Sequence, residues 1–134
     1  MPSMPENSSS DNRHLYEYAV VRFVPDVERG EFVNIGLVMM CKRRRWLKCA
    51  FHFDVSRIAA LFPEADCEVL RAQAASFLAV AAGDGSPIGS LEAHERFRWL
   101  TAVRSASLAT SRPHPGHASD LDATFAALLA RLVL

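Results

Sequence analysis

The chain has 134 residues, half of them apolar, with 15 basic and 15 acidic side chains and a pI near 7.0. That length suits one domain able to bury a core without disulfide or metal staples, and the charge balance excludes a global electrostatic footprint for nucleic acid or an anionic membrane. No apolar run approaches the roughly 20 residues that cross a bilayer and no basic-then-apolar leader opens the chain, so neither membrane insertion nor export is expected.

Residues 1–13 are mostly Ser, Asn, Pro and Glu, with almost nothing to bury, and read as a disordered tail ahead of a single domain over 14–134. Three segments follow, LYEYAVVRFV, EFVNIGLVMM and RWLKCAFHF, each rich in β-branched or aromatic residues and separated by short polar links. They predict a three-stranded meander. Pro25 closes the first strand by withholding a ladder donor, and Gly30 supplies the positive φ that the loop PDVERG needs.

Period two sorts these strands into faces. One parity carries Ala19, Val21 and Phe23, then Val33, Ile35, Leu37 and Met39, then Leu47, Cys49, Phe51 and Phe53, and is the expected core. The other carries Tyr16, Tyr18, Val20 and Arg22, then Asn34, Gly36 and Val38, then Trp46, Lys48, Ala50 and His52. That mixture needs partners before it can be buried.

After Phe53 the period becomes helical. Asp54 caps a short helix with Val55, Ile58 and Phe62 on one side, and a longer helix shows Leu70, Ala74, Phe77, Leu78 and Ala81 as its stripe. GDGSPIG ends that helix, Ser90 is the expected cap of another running to about Leu100, and Val103 to Ser111 reads as a short fourth strand. Ser119 or Asp120 then begins a helix with Leu121, Phe125, Leu128, Leu129 and Leu132 on one face. The expected fold is α+β: two layers, an antiparallel meander of three to four strands with helices packed on one face, the last helix completing the core.

Several constellations could carry chemistry. GDGSPIG follows a helix, lacks G-x-G-x-x-G spacing and has no Lys-Ser/Thr after it, so it reads as a helix stop and not a phosphate loop. Cys41, Cys49 and Cys67 are an odd number with no C-x-x-C spacing, which fits free thiols in the cytoplasm. Cys49 and His52 fall on opposite faces of a strand and cannot share a proton, which leaves Cys49 a buried structural thiol. His114 and His117, with Asp120 and Asp122 nearby, are acceptable metal ligands, but a Pro/Gly loop does not preset their geometry; no metal and no cofactor is expected. The link from Lys42 through Arg43, Arg44, Arg45 and Trp46 to Lys48 sets dense positive charge beside an indole, a pattern that can meet phosphates and stack on bases. An exposed hairpin tip is also commonly charged, because charge there discourages edge pairing. Arg22 and Asn34 share one sheet face, with Asp26, Glu28, Arg29 and Glu31 in the connecting loop and Glu31 within cross-strand reach of Arg22. Such a group can hold an anion or a peptide, or merely brace its own loop.

The run YAVVRFVPDVERGEFVNIGLVM, with LTAVRSASLATS farther on, resembles the bacterial family catalogued as domain of unknown function 3037. The likeness extends over most of the chain from Tyr16. The family's first motif maps onto Arg22, Pro25, Arg29, Gly30, Glu31, Asn34 and Gly36, and its second onto Leu100, Thr101, Arg104 and Ser105, with Val103 where the pattern has proline. The resemblance implies no established activity, and it implies genes found beside those of HipA-like kinases. Together with the polar hairpin it suggests a site of Arg22, Arg29, Glu31, Asn34 and Arg104 on an accessory module that binds a protein partner, a HipA-like kinase being one candidate. The alternatives are nucleic-acid binding through Lys42–Lys48 and an enzyme acting on an anionic substrate through the arginine cluster. A homo-oligomer is compatible with either arrangement.

Overall fold

The computed structural model describes residues 13–102 and 107–134; of the expected tail only Arg13 falls within them. The order is β1 (His14–Phe23), a 3-10 turn (Val27–Arg29), β2 (Val33–Cys41), β3 (Trp46–Phe51), α1 (Val55–Leu61), α2 (Cys67–Ala82), α3 (Ala93–Ala102), β4 (Leu108–Thr110), β5 (His114–Ala118) and α4 (Leu121–Leu132). All strand pairings are antiparallel, with β3, β2, β1 and β4 side by side and β5 also on β1. The fold is α+β, as the hydrophobic periods predict.

Aspartates set most of the helix starts. Asp54 accepts from the Arg57 N–H, Asp66 from those of Glu68 and Val69, and Asp120 from that of Ala123, each satisfying a donor that a first helical turn leaves open. Asp120 is therefore the cap of α4. Ser90 does not cap α3: its hydroxyl donates to the Ser86 carbonyl, and Glu92 takes the position before the helix, its N–H donating to Glu95 Oε1. Gly83, at φ 78°, stops α2 in the left-handed conformation that glycine adopts without a Cβ penalty.

The sheet departs from the simple parity at one point. Val21 pairs with Gly36 but Arg22 with Asn34, so Ile35 is an extra residue, a β-bulge in the middle of the central ladder. A bulge reverses which parity faces which way. Val33 and Ile35 therefore share a face with Val38 and Met40, while Leu37, Met39 and Cys41 turn to the opposite one. The expected grouping of Val33, Ile35, Leu37 and Met39 is corrected accordingly. Alternation could not reveal this, because β2 is apolar on both sides of Gly36 and reads equally well in either phase.

Both faces of the sheet consequently need cover. On the first, Ala19, Val21, Ile35 and Val38 pack with Ile58, Leu70, Phe77, Phe97 and Leu100 from α1, α2 and α3. On the second, Val20, Leu37, Met39 and Cys41 pack under Leu121, Phe125 and Leu128 of α4. The sheet is thus enclosed in three layers, and α4 covers the mixed face instead of joining the other helices. Tyr16, Tyr18 and Trp46, each half-buried, pack against that second core.

The far edge of β1 is shared. β4 pairs with Val21 to Phe23 and β5 with His14 to Tyr18, and Ser111 bridges the break by accepting the Val20 N–H on its hydroxyl at 2.9 Å and donating its own N–H to the Val20 carbonyl. The expected fourth strand corresponds to β4, with 103–106 outside the described residues. β5 lacks a strand signal in HPGHA; its place is made by Gly116, where a Cβ would strike the Tyr16 ring. Across the sheet, Gly36 does the same for Phe51, since a Cβ there would lie 2.8 Å from the ring and 3.0 Å from the Ala50 carbonyl oxygen.

Arg98 of α3 closes the assembly over β1, donating from both terminal nitrogens to the two Glu17 oxygens at 2.7 Å. The Arg98 bonds hold the Glu17 carboxyl below the usual glutamate range, and Glu17 in turn raises the arginine.

Two outcomes test this arrangement. Gly36→Ala is expected to cost about 1–3 kcal/mol in chemical denaturation by overpacking against Phe51, and Phe51→Leu should recover part of that loss in the double variant. Because the folded pKa of Glu17 is depressed, its contribution is present above the unfolded value and disappears as pH falls through the folded one. Glu17→Gln should cost about 0.5–1 kcal/mol at pH 7, the pair being partly solvated, and the gap from wild type should close in acid denaturation series.

Candidate functional site

The first hairpin loop is built by its own backbone. Asp26 accepts from the Glu28 N–H at 3.0 Å, and Gly30, at φ 70°, donates to the Val27 carbonyl, so PDVERG folds as one 3-10 turn. This presents Arg29 and Glu31 together, paired at 2.9 Å with 68% and 57% of their side chains exposed. At that exposure the pair is a surface brace worth at most about 1 kcal/mol. Beneath it, a cleft of about 320 Å³ separates Pro25, Asp26, Arg29 and Glu31 from Leu61, Pro63 and Glu64 at the end of α1.

Arg22 and Asn34 lie elsewhere. They are cross-strand partners beside the bulge, on the face covered by α4. Asn34 donates from Nδ2 to the Leu132 carbonyl at 3.1 Å, satisfying one of the acceptors that a helix C-terminus leaves open. Arg22 spreads its guanidinium 4.2 Å above the Phe32 ring. Glu31 turns to Arg29, so the expected Arg22–Glu31 pair is replaced by this cation–π contact. Arg22 Nε and Asn34 Oδ1 are both shut off from solvent without a hydrogen-bond partner.

The expected five-residue site therefore divides into two groups. Arg29 and Glu31 edge the cleft against α1, Arg22 and Asn34 stand below the end of α4, and Arg104 lies outside the described residues. Phe32 was not singled out by the sequence reading. Its signal in the sequence is its parity with Asn34; in the structure the residue is 44% exposed.

The basic link is also dispersed. Lys48 pairs with Asp122 at 3.0 Å and lies 5.3 Å from the centre of the Phe125 ring; Arg45 reaches Glu92 at 4.0 Å, and Arg44 contacts His14 Nε2 at 3.4 Å. Trp46 sets its indole edge-on against Phe125, within the second core. Lys42 and Arg43 remain at the hairpin tip. The indole that would stack on a base is thus engaged in packing.

The remaining constellations have structural roles. His114 and His117 stand in β5 instead of a loop, His114 lying against Tyr18 with ring centroids 5.3 Å apart. Asp120 is spent on capping and Asp122 on Lys48. Among the described residues, no group of three or more His, Cys, Asp or Glu side chains is disposed to hold a metal. In GDGSPIG, Asp84 accepts from both the N–H and the hydroxyl of Ser86, which lowers its pKa and fills the turn from within. Burial pushes the Cys49 thiol up to about 12, where the thiolate nucleophile is almost unpopulated at neutral pH.

A five-stranded antiparallel sheet with helices on both faces, and a polar seam at the end of its first hairpin, defines the class of this domain. The family model described as "Protein of unknown function (DUF3037)" matches residues 18–133, and the chain belongs to that family. No match is found among curated proteins or solved structures. No helix among the described residues is long and apolar enough to cross a membrane.

The thiol chemistry has a direct check. Under native conditions at pH 8, Cys49 should resist alkylation by iodoacetamide, and denaturant should release it to full labelling, read by peptide mass spectrometry. Rapid native labelling at Cys49, a half-buried residue, would contradict a thiol pushed up to about 12.

Proposed function

We propose that this chain is a non-catalytic interaction module that holds an acidic side chain of a protein partner at Arg22, between Phe32 and Asn34. The observation that carries this reading is Arg22 Nε, a donor orphaned beside Asn34 of the adjacent strand. A buried polar atom left unpaired costs about 1–3 kcal/mol, and among the described residues no carboxylate answers this arginine. A guanidinium held 4.2 Å over an aromatic ring has lost much of its side-chain freedom already, so its fork meets a carboxylate with less further ordering. The exposed part of Phe32 supplies apolar contact beside it.

The reading leaves out Arg29 and Glu31, which already neutralise each other at the loop, and Arg104 lies outside the described residues. It ranks ahead of nucleic-acid binding, for which Arg45 and Lys48 are already paired with carboxylates and the Trp46 indole is packed on Phe125. It also ranks ahead of chemistry on an anionic substrate, for which the arginine has no nucleophile or base beside it among the described residues. The family's gene neighbourhood makes a HipA-like kinase the first partner to test.

Calorimetric titration of the domain with the HipA-like kinase of its own source should give a saturable complex. Arg22→Ala should weaken it at least about tenfold while lowering stability by no more than about 1 kcal/mol, and Arg22→Lys should restore only part of the loss. An Arg22→Ala protein that binds as the wild type does would remove this site from consideration.

A further inference from the structure

A second surface, independent of the hairpin, has the form of a small-molecule site. α2 turns Gln73, Ser76, Phe77 and Val80 to one side, the i, i+3, i+4, i+7 stripe of a helix, and this stripe does not meet α3 along its whole length. Between them opens a cavity of about 210 Å³, with Trp99 and Leu100 of α3 opposite and Leu108 to Thr110 of β4 as its far wall. Phe77, Leu100 and Leu108 are buried, so the deep wall is apolar and fixed by the main core. Trp99 lines the same space with 40% of its surface still exposed.

The polar groups of the lining are few and most are engaged. Ser76 donates to the Ala72 carbonyl, and Thr110 donates to the Thr101 carbonyl at 3.0 Å. Gln73 differs, for its side-chain oxygen is shut off from solvent and has no hydrogen-bond partner. An acceptor in that state favours a ligand that brings a donor. Size limits the ligand as well. An apolar cavity of about 150 Å³ accommodates benzene, whereas drug-sized ligands need upward of about 300 Å³.

We propose that the cavity between α2, α3 and β4 binds a small aromatic molecule of one or two fused rings carrying a single N–H or O–H donor. The ring fills the apolar space against Phe77 and Leu100, and its donor satisfies the Gln73 carbonyl. Trp99 flanks the ring at the solvent side.

Indole is the probe. Titrated into the full chain and followed by ¹H–¹⁵N NMR, it should give saturable shifts confined to Gln73–Val80, Trp99–Leu100 and Leu108–Thr110, with a dissociation constant of roughly 0.1–1 mM, as the free energy open to so few atoms allows. 1-Methylindole, which lacks the donor, should bind about five- to tenfold more weakly. Gln73→Met should remove that discrimination, bringing the two probes within about twofold of each other. Ser76→Phe, at an exposed position on the rim, should weaken indole more than about tenfold with melting and spectral dispersion unchanged, the added ring occupying the cavity. Shifts that do not saturate, shifts scattered over the sheet, or unaltered binding to the folded Ser76→Phe protein would overturn the proposal. Equal affinity of the wild type for the two probes would overturn it too, by removing the role of Gln73.

Discussion

Ile35 is one residue too many for the ladder between β1 and β2, and the architecture follows from where that residue sits. Before it, Val33 and Ile35 face the layer of three helices; after it, Val38 and Met40 do. The displaced parity, Leu37, Met39 and Cys41, is delivered to the other side as a continuous apolar strip. A strip of that kind cannot remain in water at about 25 cal/mol per Å² of apolar surface, so the second face requires a cover of its own. α4 supplies it through Leu121, Phe125 and Leu128. The bulge thus turns a one-sided sheet into a two-sided one without changing the direction of any strand.

The same bulge lies beside the polar seam. Bulges bend the strand and interrupt regular pairing, which lets a side chain be aimed where a regular ladder would not send it. Asn34, just before the extra residue, reaches the last turn of α4, and Arg22 opposite it lies over Phe32. The contrast with Arg96 is instructive, for that guanidinium donates to the Leu91 and Ala81 carbonyls and ties the end of α2 to the loop before α3. Arg96 is a structural fastener with two of its donors spent. Arg22 shares its buried Nε orphan but lies over a ring, beside an equally unsatisfied amide oxygen.

Glycine performs one further task on each face. At Gly36 and Gly116 the missing Cβ admits the ring of a cross-strand neighbour, Phe51 on the three-helix side and Tyr16 on the α4 side. Phe51 then meets Phe77 edge-on at 5.6 Å, and so connects the edge strand to α2. These contacts carry the sheet's order outward to β3 and to β5, which has no alternating pattern of its own. β5 in particular, with a proline and a glycine in five residues, takes its strand conformation from β1.

By itself the sequence determined the α+β class, the three strands of the meander, the stripe of α4, that of α2 apart from the exposed Leu78, and the aspartate cap at Asp54, while leaving Ser119 and Asp120 as alternatives for the last cap. All of these are local signals: side-chain periodicity and hydrogen bonds within one turn report on their own neighbourhood. The motif residues of the first hairpin were legible too, as residues out of place on an apolar strand. The bulge was not, because Ile35, Leu37, Val38 and Met39 are all apolar and the shift of one residue leaves no trace in their order. With it went the side on which α4 would dock, the division of Arg22 and Asn34 from Arg29 and Glu31, and the pairing of Glu31 with Arg29 in place of Arg22. The cavity between α2 and α3 was equally out of reach, since residues that line it, such as Trp99 and Leu108, are separated in sequence and meet only through packing. Tertiary structure decided these matters because each depends on the distance between groups far apart in the chain, and periodicity carries no information about that distance.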